Sequence, residues 1–146
     1  MPIIPGIFYN AILVSAVTAW LIAQLLKVVV NLALVRKLNF QLLLSSGGFP
    51  SSHSATVSAL ALGIGKYYGW ASPIFAVSAV YGMVVMYDAA GVRRAAGKQA
   101  EVLNQLVENL YLGSDLAQER LKELIGHTPF EVFGGVIVGI IVGLLV

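Results

Sequence analysis

IFYNAILVSAVTAWLIAQLLKVVVNLALV, residues 7–35, contains one charged side chain, Lys27. It exceeds the roughly 20 apolar residues that carry a helix across a bilayer. The rest of the chain agrees with it. Of 146 residues 58% are hydrophobic and only 11% charged, against roughly 25% charged in an ordinary soluble domain. Mean hydropathy is +0.86. A small soluble fold exposes too large a share of its chain to hide that much apolar surface, so lipid is the expected solvent. A cytosolic enzyme, a disordered tail and a DNA-binding module are excluded. Net charge is +2, and the scattered bases leave no footprint for nucleic acid. Cysteine is absent, which removes disulfides, thiolate nucleophiles and sulfur metal sites. The leading residues lack the positive region of a secretory signal, so the first apolar stretch is expected in the mature protein.

Three more apolar stretches follow, at about 54–68, 73–87 and 130–146. Lipid-exposed strands need a closed barrel and strict alternation, which these segments lack, so helices are expected. The fold class is therefore all-α: one membrane domain over 1–146, a polytopic bundle of about four spans. Residues 91–128 hold ten of the sixteen acidic and basic side chains. Within them Val102, Leu103, Leu106, Val107 and Leu110 recur at helical spacing, with Glu101, Asn104, Gln105 and Glu108 turned away. A second amphipathic piece follows Gly113, capped by Ser114 or Asp115, with Leu121, Leu124 and Ile125 as its apolar side. Both read as interfacial helices, or as covers over the bundle.

Basic residues in short loops set orientation. Arg36, Lys37, Arg93, Arg94, Lys98, Arg120 and Lys122 fall on one side and Lys66 on the other. Four spans then bring the 37–53 loop and the 88–131 region together on the cytoplasmic face, where the unusual polar residues lie.

Each of these residues has a plain reading beside a chemical one. Gln24, Lys27 and Asn31 share one face of the first span. Lys27 either snorkels toward the interface or turns inward to meet an anion. In GGFPSSHSA, residues 47–55, the glycines allow a tight path and Ser51 or Ser52 can cap a helix. With His53, the free N–H groups there also make an anion site. In His127-Thr128-Pro129-Phe130-Glu131, Thr128 fits an N-cap and Pro129 the first helical position. Glu131 reaches His127 if the imidazole folds back over the first turn, which would fix its tautomer. Arg93 and Arg94 suit phosphate because guanidinium binds two oxygens at once, yet arginines at a membrane edge are also ordinary topology signals. Asp88 would hold one of them in place. Gly135, Gly139 and Gly143 form a small-residue ridge that packs helices within the subunit or across a homodimer.

Together, GGFPSSHSA, YDAAGVRRAAGKQA (87–100) and LIGHTPFEV (124–132) resemble the divergent PAP2 family, a branch of the type 2 phosphatidic acid phosphatase superfamily also labelled acid phosphatase/vanadium-dependent haloperoxidase-related. The resemblance spans essentially the whole chain. It implies a membrane phosphatase acting on a phosphomonoester or pyrophosphate of a lipid through a phosphohistidine, with no metal or cofactor. On matching positions it implies His127 as nucleophile, Glu131 as its orienting partner and His53 as general acid, with Ser51 and nearby backbone on phosphate oxygens. Lys27, Ser52, Arg93 and Arg94 would join the phosphate site, and Asp88 would support it. The superfamily pattern is not fully kept: no Arg-Pro follows Lys27 at the expected distance, Ser52 replaces a glycine, Arg120 is one place early, and Glu131 replaces aspartate. The expected partners are a lipid phosphate, membrane lipids and a second copy of the chain. The alternative is a lipid-phosphate binding or transport module without turnover. The expected location is the cell membrane.

Overall fold

The computed structural model describes residues 9–44, 47–110 and 126–146, apart from the side chains at 41, 44, 93 and 108–110. It contains α1 (Ala11–Val35), a 3-10 turn (Phe40–Leu44), α2 (Ser52–Tyr68), α3 (Pro73–Ala90), α4 (Val92–Leu110) and α5 (Pro129–Leu145). The four expected apolar segments correspond to α1, α2, α3 and α5, of which α1 and the helix beginning at Pro73 are long and apolar enough to cross a membrane. The proposed amphipathic piece after Gly113, with Arg120, Lys122 and its apolar side Leu121, Leu124 and Ile125, lies outside the described residues.

Each boundary has a local cause. Asn10 caps α1, its side chain accepting from the Leu13 amide at 3.1 Å. Arg36 ends the helix in a left-handed conformation. Ser51, Ser72 and Thr128 cap α2, α3 and α5, each hydroxyl satisfying an amide that the first turn leaves open. At 1.5 Å per residue α1 is about 37 Å long and the three shorter spans about 25–27 Å, against a hydrocarbon core of about 30 Å.

The central helix is α2, which touches α1, α3 and α5. Its neighbours can be oriented from their contacts. Ser51 N donates to Glu131 O where α2 and α5 begin, and Lys66 Nζ donates to Gly143 O and Leu144 O where they finish. These two helices therefore run parallel. Lys27 meets Ser52, and Ile12 lies by Gly63, so α1 runs the other way. So does α3, with Gly82 against Val57 and Asp88 beside His53. The 36–51 connection and the α3–α4 junction consequently share one end of the bundle, and Lys66 sits at the other.

Side-chain size is distributed as lipid requires. The tightest cluster is Ala19, Ala23, Ala55, Ala59 and Val142, whereas Leu13, Val17, Leu25, Val29, Val77, Val80, Phe133 and Ile141 face outward. Water would penalise that arrangement. In a bilayer, small residues inside let the backbones approach while large apolar ones meet acyl chains. The glycine ridge of α5 is occupied within the subunit. A Cβ on Gly135 would overlap the Ser51 carbonyl oxygen, one on Gly139 the Ala55 carbonyl oxygen, and Gly143 packs on Leu62. The polar stripe of α1 divides its work: Gln24 Nε2 donates to Leu43 O at 2.7 Å and Asn31 Nδ2 to Lys37 O at 2.9 Å. Those two side chains hold the following loop against the helix. Among the described elements α4 touches only α3, leaving Val102, Leu103 and Leu106 about half exposed, as an interfacial helix requires.

Candidate active site

The end of the bundle that carries both histidines is built from the start of α2, the start of α5, the end of α3 and the middle of α1. At the start of α2, Ser51 Oγ accepts from Ser54 N at 3.3 Å and from Ser54 Oγ at 3.1 Å. Ser51 and Ser54 are both fully buried, so the Ser51 hydroxyl serves the helix cap. The next hydroxyl faces elsewhere. Ser52 Oγ accepts from Lys27 Nζ at 3.3 Å, and Lys27 is only 2% exposed. This lysine does not snorkel. Gly48, at φ +97°, carries the chain past its aliphatic stem: a Cβ there would lie 3.8 Å from Lys27 Cδ. The positive φ is one that side-chain-bearing residues rarely adopt.

The start of α5 is tied down more heavily. Thr128 and Glu131 form a reciprocal capping box, with Glu131 N donating to Thr128 Oγ1 at 3.3 Å and Thr128 N to Glu131 Oε2 at 2.8 Å. The same Oε2 lies 3.2 Å from His127 Nδ1. His127 is 2% exposed, and its backbone N donates to Ala89 O at 2.9 Å, which fastens it to the end of α3. A carboxylate facing Nδ1 favours the tautomer with the proton there, leaving the Nε2 lone pair directed away from Glu131. Phe49 stacks on Phe130 with centroids 5.0 Å apart, and its other ring edge packs on Gly134, where a Cβ would overlap it. This contact presses the 47–53 segment onto the first turn of α5.

These constraints set the two imidazoles edge to face, centroids 5.8 Å apart. His53 is half-buried and also lines a cleft of about 310 Å³ with Tyr81, Val84, Val85, Asp88 and Ala89. The site thus gathers His53, His127, Glu131, Lys27 and Ser52 around one region, with Asp88 lining the cleft beside His53. Arg94 opens α4 with an exposed side chain, and Gly126 rests on its backbone so closely that a Cβ would overlap it. The Arg93 side chain lies outside the described ones. An oriented imidazole, a second imidazole, a buried ammonium and a helix N-terminus are the elements that phosphoryl chemistry needs. Local pattern did not point to the Ala89 carbonyl, the Phe49–Phe130 stack or the Tyr81–Val85 wall. The aromatic pair flanking the two histidine motifs, Phe49 and Phe130, was the available signal.

Comparison with known proteins bears on the same residues. A family model described as "Divergent PAP2 family" matches residues 8–142. A protein of Bacillus subtilis (strain 168) described as "Uncharacterized membrane protein YuiD" is 43% identical over 147 residues, covering 93% of this chain and 93% of its own. No solved structure matches.

Proposed function

This chain belongs to the divergent PAP2 family, and on that footing we propose that it is a membrane phosphatase hydrolysing a phosphomonoester or pyrophosphate of a lipid. The observation that carries the reading is the pair of imidazoles 5.8 Å apart, one of them held by Glu131 through Nδ1. His127 Nε2 attacks phosphorus, forming an N–P bond as the P–O bond to the lipid breaks. Protonated His53 gives its proton to the departing oxygen. Water then attacks the phosphohistidine, His53 takes the water's proton, and inorganic phosphate leaves with His127 restored. Lys27 and the amides at the start of α2 offset charge on the equatorial oxygens, and Ser52 keeps the ammonium in place. Basic residues Arg36, Lys37, Arg94 and Lys98 at this end, against Lys66 at the other, support a cytoplasmic site in the cell membrane.

The test is phosphate release from phosphatidate, phosphatidylglycerophosphate and a prenyl pyrophosphate, with wild type and His127→Ala side by side. Release by wild type that vanishes in the variant is expected; equal rates would remove His127 from the chemistry.

One observation favours a second reading, a lipid-phosphate binding or transport module. The Ser51 hydroxyl, which the family resemblance assigns to phosphate, is committed to Ser54 and fully buried. Lipid-phosphate binding that survives His127→Ala, with no wild-type turnover, would select it.

A further inference from the structure

The cleft beside His53 has no task in the phosphoryl chemistry itself. Its α3 wall runs from Tyr81 to Asp88, about 10 Å at 1.5 Å per residue, from the interfacial end of the helix back into the span. Polar groups, His53 and Asp88, stand at one end. Ala89, Val85, Val84 and Tyr81 make up the remainder. Tyr81 is 56% and Val84 60% exposed on the outer face of α3, so the cleft opens sideways to hydrocarbon as well as toward the interface. This gradient, polar near the helix end and apolar deeper, is that of an amphiphile lying with its head at the interface.

We propose that this α2–α3 cleft is the lateral entry and chain seat for the substrate: a phosphorylated lipid whose hydrocarbon begins within a few bonds of the phosphate. Such a molecule slides in from the bilayer, lays its chain along Val84 and Tyr81, and brings its phosphate to the two imidazoles. His53 belongs to both spaces. It lines the cleft and lies edge to face with His127, which puts it on the side from which the lipid oxygen departs. The inference deepens the phosphatase reading and rests on it for turnover. It also predicts that phosphate esters without a chain are poor ligands, because burial of each methylene in the cleft adds to binding.

The experiment compares phosphate release from dioleoyl phosphatidate and from glycerol 3-phosphate by the protein in lipid nanodiscs. In Val84→Trp the indole fills the cleft, and the ratio of long-chain to soluble kcat/KM should fall about tenfold or more, as expected for displacing several methylenes. Ile141→Trp adds the same bulk to the outer face of α5, where Ile141 is exposed, and should leave the ratio at its wild-type value. An unchanged ratio in Val84→Trp overturns the proposal. A second arm requires neither turnover nor the variant: phosphatidate with a photoreactive group midway along one acyl chain should label residues 81–85. Labelling spread evenly over α1, α3 and α5 overturns the chain seat. Labelling at 81–85 without phosphate release from any lipid supports the seat and refutes the phosphatase reading.

Discussion

The two histidine-bearing helix starts are built from the same parts and use them differently. At the start of α2 the cap residue, Ser51, precedes its histidine, which therefore stands within the first turn and turns toward a cleft. At the start of α5 the histidine precedes its cap, Thr128, and hangs over the first turn instead. There a carboxylate three residues past the cap reaches back and holds Nδ1, while the Ala89 carbonyl holds the backbone. His127 is fixed and almost wholly buried; His53 is half open. In the proposed chemistry, the placement inside the cap suits the proton donor and the placement outside it suits the nucleophile. A nucleophile gains from restricted geometry, whereas a proton donor must follow the leaving oxygen as it separates.

The largest effect that would sharpen this contrast comes from replacing each ring in turn. His127→Ala should lower phosphate release at least about a thousandfold whatever the leaving group, as loss of a nucleophile does. His53→Ala should cost about a hundredfold or more on an alkyl phosphate, the scale of general acid catalysis, and far less on p-nitrophenyl phosphate, whose leaving group needs no proton. Equal losses on both substrates would break the division of roles. Next in size is Glu131→Gln. The amide oxygen still serves the capping box, so stability should barely change, but phosphate release should fall about a hundredfold as the orienting carboxylate is lost.

Smaller effects concern the caps. Thr128→Ala and Ser51→Ala should each lower stability by about 1 kcal/mol, read as a shift in thermal unfolding in detergent. Ser51→Ala should leave the KM for phosphatidate near its wild-type value, because that hydroxyl is spent on Ser54. A KM raised tenfold would assign Ser51 to phosphate after all and make the two starts more alike than they look.

The same contrast separates what the sequence disclosed from what it concealed. Four apolar helices, Thr128 as cap, Pro129 in the first turn and the meeting of distant polar segments at one end all follow from local pattern or from charge counts, and the structure has them. Gln24 and Asn31 share a face with Lys27, so helical spacing alone groups the three as one polar stripe. Only Lys27 reaches the site. The other two bind carbonyls of the following loop, and no periodicity announces a backbone acceptor. The glycine ridge was equally readable as an internal or an external packing surface, because small residues permit close approach without saying to what. The Tyr81–Val85 wall was hidden for a third reason: on a lipid-facing helix, side chains that line a cleft look like any others that meet acyl chains.

The backbone bond from Ser51 to Glu131 at one end, and the grip of Lys66 on Gly143 and Leu144 at the other, clamp α2 and α5 along their whole length with glycines between. A pair so clamped shifts as one body, and the spacing of the rings it carries behaves as a ruler rather than a spring. Whatever breathing admits a bulky guest must then occur at the seam with α3, where the gap already exists, and a drug or lipid that wedges that seam would meet the His53 ring that lines it.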